Sequence, residues 1–112
     1  MSTTYLRFGR QSPEAELATI SFSREMGFTS AEFLRILPAA LSDHEASISD
    51  HEVQVQLDGG RLQVRISDQK YRKIASISLP YLEVDFSFSG LEQNRVDEFM
   101  RFFDLRYQRG GG

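Results

Sequence analysis

The chain carries one tripeptide twice, as Asp43-His44-Glu45 and Asp50-His51-Glu52, and these two copies hold both of its histidines. Imidazole beside carboxylate is a donor set that zinc, manganese or non-haem iron accepts. A histidine oriented by a carboxylate can also move a proton in catalysis. Asp43, His44, Asp50 and His51 are therefore the candidate metal ligands. Their spacing follows neither HxxxH nor HExxH. The first reading of the repeat is a solvated acidic connector, and the second is a metal binder or small metal-dependent enzyme. Ser47 and Ser49 lie close by in sequence, but no oxyanion-donor pattern accompanies them, so a serine triad is not indicated.

A second set of polar residues alternates with apolar ones through Glu52–Ser67, EVQVQLDGGRLQVRIS. Alternation of this kind places Val53, Val55, Leu57, Leu62, Val64 and Ile66 on one face of a β-hairpin. Gln54, Gln56, Arg61, Gln63 and Arg65 then project together from the other. With Gly59-Gly60 as the two-residue loop, the register pairs Asp58 with Arg61, Leu57 with Leu62, Val55 with Val64 and Val53 with Ile66. The basic segment Lys70–Lys73 stands at one end and adds Tyr71 and Arg72 to the surface. Glutamine and arginine on an open sheet face suit a hydrogen-bonded partner. No aromatic platform shares that face, which argues against single-stranded nucleic acid. A water-facing surface is the simpler reading, and a protein partner or self-association is the functional one.

A third candidate is the tail, Arg109-Gly110-Gly111-Gly112. Its terminal glycines are similar to the ends of ubiquitin-like and sulfur-carrier proteins. That resemblance implies activation at Gly112, with Arg109 and Gly111 leading into the activating enzyme. Those proteins let the tail leave a strand, whereas here it follows a helical pattern. Glycine just past a helix is the simpler explanation.

These groups need elements to position them. Ala15–Ser23 alternates, with Ala18, Ile20 and Phe22 on one side, and predicts a first strand; Arg24–Phe28 reads as a loop. Thr29 with Glu32 forms a capping box, Phe28 and Phe33 a hydrophobic staple, and Phe33, Leu34, Leu37 and Leu41 the stripe of a first helix. Pro38 either kinks that helix or restarts it. Ser42–His51 is a polar connector, strand-like near Ile48. Asp68–Arg72 reads as a charged turn and Lys73–Leu79 as a third strand against the hairpin. Pro80-Tyr81 is either a turn or a bulge in one long strand continuing through Leu82, Val84, Phe86 and Phe88. The bulge is the preferred reading, and it sends the second half of the strand to pair with the first strand. Ser89 and Glu92 cap a last helix whose stripe is Val96, Phe99, Met100, Phe103 and Tyr107, widened by Phe102 and Leu105. Phe86, Phe88, Phe99, Met100, Phe102 and Phe103 either fill the core or line a ligand cavity beneath that helix.

The expected fold is α+β: a two-layer antiparallel sheet with both helices on one face, in the order β-α-β-β-β-α or β-α-β(4)-α. The second order resembles the TATA-binding-protein-like topology. The long last helix across a bent sheet is also similar to helix-grip ligand carriers. Residues 1–13 read as a loose segment, 14–109 as one domain and 110–112 as a flexible tail.

Composition bounds the rest. Nine Phe and four Tyr among 112 residues suffice for one core. There is no cysteine, which excludes disulfides, thiolate metal sites and thiol catalysis. No apolar run approaches the ~18 residues of a membrane-spanning helix, and no signal-peptide pattern opens the chain, so a cytosolic protein is expected. Residues 1–60 carry net charge −5 and residues 61–112 net +2. So modest an asymmetry argues against bulk electrostatic binding of nucleic acid. No cofactor motif is present; Gly59-Gly60 joins two strands and lacks the helix dipole that holds phosphate.

The segments TSAEFLRILPAAL, IASISLPYLEVDFSF and EFMRFFDLRYQRGGG are together similar to a family of small, uncharacterised proteobacterial proteins, over residues 28–112. That resemblance implies a free-standing bacterial cytosolic protein and transfers no catalytic or binding residue. The leading expectation is a non-enzymatic interaction module that uses its open sheet face or its last helix.

Overall fold

Among the described residues a six-stranded antiparallel sheet carries two helices that share one apolar core with it. The computed structural model describes residues 19–111. In chain order the elements are β1 (Thr19–Met26), α1 (Ser30–Leu41), β2 (Ala46–Ile48), β3 (Glu52–Leu57), β4 (Gly60–Ile66), β5 (Lys70–Ile74), β6 (Ile77–Ser89) and α2 (Gln93–Gly111). The sheet runs β1-β6-β4-β3-β2, and off this path β5 pairs with the first part of β6. The expected order β-α-β-β-β-α is present, expanded by the short edge strand β2 and by β5.

The hairpin has the predicted faces but a different register. Val53 lies opposite Val64, Val55 opposite Leu62, and Leu57 opposite Gly60. The loop is Asp58-Gly59, one residue earlier than Gly59-Gly60, and every partner moves by two positions. A shift of two preserves the side-chain face, because strand side chains repeat every two residues. Two different demands select the glycines. Gly59 adopts φ +88°, which glycine reaches without a Cβ penalty. At Gly60 a Cβ would fall on the backbone carbonyl oxygen of Ser89, so the hairpin can dock against the end of β6.

The long strand β6 organises everything else. It runs unbroken through Pro80, which sits opposite Tyr71. Its second half pairs with β1 on one side (Phe22 opposite Phe86) and with β4 on the other (Val64 opposite Phe86). Three local expectations give way here. β1 continues to Met26 through what reads as a loop, because Arg24, Glu25 and Met26 find partners in Val84, Glu83 and Leu82. Residues 15–18 of the expected first strand lie outside the described residues. The stretch read as one third strand, Lys73–Leu79, instead folds back at Ala75-Ser76, between β5 and β6, and Lys70–Arg72 is strand rather than turn. Finally, Ser89 belongs to β6 and not to a helix cap: Gly90 reverses the chain at φ +82°, and the Glu92 carbonyl accepts the first helical bonds from Arg95 and Val96.

α1 begins on the expected capping box. The Thr29 hydroxyl accepts from the Glu32 amide at 3.1 Å, and the Glu32 carboxylate accepts from the Thr29 amide at 2.9 Å. Pro38 stays within the helix, which continues to Leu41. Phe33, Ile36, Leu37, Ala40 and Leu41 are buried. Phe28 and Phe33 meet through Tyr107, each ring about 5 Å from the tyrosine ring. The α2 stripe is the predicted one: Val96, Met100, Phe103 and Tyr107 are buried and Phe99 half-buried. The Tyr107 hydroxyl donates to the Phe33 carbonyl at 2.8 Å and ties the two helices together. Burial raises the phenol pKa well above its ordinary value. Phe33, Phe86, Phe88 and Phe103 fill the space beneath α2 with essentially no exposure. That is a packed interior rather than a ligand cavity.

Candidate functional site

The sheet face turned away from the helices collects the predicted polar residues. Gln54 stands opposite Gln63, Gln56 opposite Arg61, and Glu52 opposite Arg65. These rows continue across β6 and β1 as Ser87 and Ser21, Ser89 and Thr19, and Asp85 and Ser23, and Glu83 opposite Glu25 adds one more row. Much of this surface satisfies itself. The Ser21 and Ser87 hydroxyls lie 2.9 Å apart, Ser23 donates to Asp85 at 2.6 Å, and the Gln54 and Gln63 amides both donate to Glu52. Carboxylates alternate with guanidinium groups, so the face carries no single-sign field.

At one end the polar face runs into an arm formed by β5 and the first part of β6. Sequence reasoning missed this arm. The reversal sits at Ala75-Ser76, with Ala75 at φ +55°. Alanine is a poor residue for that region, so nothing in the composition announced a turn. Along β6 the alternation puts Ile77, Leu79 and Tyr81 on the same side as Glu83, Asp85 and Ser87. Their partners Ile74, Arg72 and Lys70 share that side. Arg72 shows the continuity: it binds both Glu25 carboxylate oxygens at 3.1 Å and lies 4.5 Å from the Tyr81 ring centroid. Glu25 raises the pKa of this guanidinium above its ordinary value through hydrogen bond and charge. Lys70 reaches Glu83 at 3.5 Å. Tyr71, paired with Pro80, faces the opposite side of the arm. Tyr71, Ile74, Ile77 and Leu79 are 61%, 53%, 58% and 44% exposed.

Gln69 anchors the base of the arm. Its amide nitrogen is within 3.4 Å of the Phe28, Lys70 and Tyr81 carbonyls, and its amide oxygen accepts from the Ser30 backbone at 2.6 Å. One side chain thus ties β5, β6 and the start of α1. A lone glutamine between two strands carries no sequence signal for such a role.

The two histidines are not brought together. His44 packs its ring 5.8 Å from Phe99, near the Leu57–Asp58 end of β3. His51 is at the other end, with Nδ1 3.0 Å from the Ile66 carbonyl and Nε2 3.4 Å from Asp68. The six residues of β3 separate them, roughly 17–20 Å of extended strand. Asp43 and Asp50 are exposed in the same connector. Among the described residues no three His, Asp or Glu side chains gather in a way that could hold a metal ion.

The tail residue Arg109 is exposed in the last turn of α2, where a cation complements the helix dipole. Gly111 ends that helix, and Gly112 lies outside the described residues. A shallow concavity of about 260 Å³ opens beside α2, floored by Leu57, Leu91, Phe99 and Phe102, with Arg95 reaching the Asp58 carbonyl at 2.9 Å on its rim. Among the described residues no helix is long and apolar enough to cross a membrane. Comparisons with known protein families, with curated proteins and with solved structures returned no match.

Proposed function

We propose that this protein is a non-enzymatic interaction module that holds a protein partner against its open sheet face and the β5–β6 arm. One observation supports this above the others: the exposed apolar side of the arm (Ile74, Ile77, Leu79) continues the polar sheet face without a break. Two-stranded ribbons are marginal in water on their own. An exposed apolar patch edged by polar residues is the usual mark of a contact surface. The arm's strand edges suit side-chain recognition better than strand addition, because Lys70, Arg72 and Lys73 guard β5 and Pro80 removes a donor from β6. Interleaved Glu52, Glu83 and Asp85 favour a protein partner over nucleic acid. A cysteine-free chain has no need of an oxidising compartment, which supports a cytosolic setting.

The test is site-specific photocrosslinking in cells. A benzoylphenylalanine at Ile77 and one at Gln63 should capture the same partner, while one at Ala39, on the exposed side of α1, captures none. Equal capture from all three sites, or none from Ile77 and Gln63, would reject the reading.

A further inference from the structure

The side of α2 opposite its buried stripe carries two large apolar residues, Phe102 and Leu105, 38% and 43% exposed. Four residues before Phe102 is Glu98, and four after Leu105 is Arg109. The 4-3-4 spacing puts all four on one exposed line along the helix, the seam geometry of a two-helix contact. Among the described residues neither Glu98 nor Arg109 has an ion-pair partner.

We infer that this seam is a dimer contact, and that its occupant is the α2 helix of a second copy of the chain, packed antiparallel about a two-fold axis between Phe102 and Leu105. The seam is self-complementary. Turned end for end, the pattern acidic–Phe–Leu–basic meets itself with every position matched. Phe102 faces Leu105 of the second copy, Leu105 faces Phe102, and Glu98 faces Arg109 at both ends. An isologous contact requires this property, since one patch must recognise itself. A parallel pairing would instead set Glu98 against Glu98 and Arg109 against Arg109. On the flank, Arg101 falls opposite Gln108 rather than another cation. Arg106 already lies 5.0 Å over the Phe102 ring, widening the apolar seam with its stem. The contact is on a different surface from the arm, so it stands or falls separately from the crosslinking experiment above.

Light scattering on the full chain over a dilution series tests it. The expected result is a mass approaching twice 12.8 kDa at high concentration, reduced to the single-chain mass by Leu105→Lys. Glu98→Arg alone and Arg109→Glu alone should each weaken dimerisation roughly tenfold. The double variant E98R/R109E should restore it, a rescue that misfolding cannot imitate. The chain's lack of cysteine permits a second readout. Mixing F102C with L105C should give a disulfide-linked heterodimer faster than either variant links to itself. A monomer at all concentrations up to about 1 mM overturns the inference. So does a dimer indifferent to the charge reversals, one in which each cysteine variant links best to itself, or crosslinks from these positions to residues 1–18 of the same chain.

Discussion

Two of the hairpins among the described residues, β3–β4 and β5–β6, are alike as local structures and opposite in their surroundings. β3–β4 and β5–β6 each close with a two-residue loop, Asp58-Gly59 and Ala75-Ser76. In β3–β4 one face is sealed under the helices, and Val53, Val55, Leu62 and Val64 have no exposure. In the β5–β6 arm no described element covers either face, and Tyr71, Ile74, Ile77 and Leu79 are exposed. Strand pairing is therefore a local matter, whereas stability comes from what lies on top. The buried hairpin serves the fold, and the bare one is available to a partner.

The widest gap between the two should be in stability. Leu62→Ala in β4 is expected to cost about 2–5 kcal/mol, because the site lies sealed in the core. Leu79→Ala in the arm should stay within about 0.5 kcal/mol. Urea denaturation of both variants measures this, and similar midpoints would break the comparison. Next in size, Gln69→Ala should cost about 1–3 kcal/mol locally by orphaning bonds at the arm's base. Amide exchange of Lys70–Ile74 should accelerate while that of β3 and β4 stays slow. Uniform acceleration would mean that the arm and the body unfold as one unit.

The covered side should also respond to alkali. The folded pKa of Tyr107 is raised above its ordinary value of 10.0, so the folded state favours the protonated phenol. The contribution is complete below pH 10 and is lost as pH rises above it, with a slope of at most about 1.4 kcal/mol per pH unit. Denaturation followed from pH 9 to 11 should show the slope in the native sequence and not in Tyr107→Phe. The smallest effects concern the turns and have opposite signs. Gly59→Ala should destabilise by roughly 1 kcal/mol at its positive φ, and Ala75→Gly should stabilise by up to about 1 kcal/mol at its own. Thermal melts of the two variants compare them; matching signs would show that the turns are not equivalent in strain.

Legibility followed the same divide. The faces of β3–β4, the capping box at Thr29 and the α2 stripe were readable, because each expresses a short-range period or a local hydrogen bond. The hairpin register was misplaced by two residues: two glycines stood side by side, and only their neighbours distinguish them. One supplies the positive φ and the other leaves room for Ser89. Among the site residues, Gln54, Gln56, Arg61, Gln63 and Arg65 do share a face, as alternation requires. Tyr71 and Arg72 are on the arm, on opposite sides of it. The doubled tripeptide suggested proximity between His44 and His51, but nearness in sequence is lost when a strand runs between them.

The amino-acid order alone determined the alternation of faces, the two helices and the single apolar core, since all three follow from side-chain periods of two and 3.6 residues acting within a few turns of chain. Tertiary structure decided which hairpin is covered. That choice depends on the reach of β6, whose second half lies between β1 and β4 while its first half extends past them, with β5 as its one strand neighbour among the described residues. Solvent exposure is a property of what packs against a segment from elsewhere in the chain, and no local pattern encodes it.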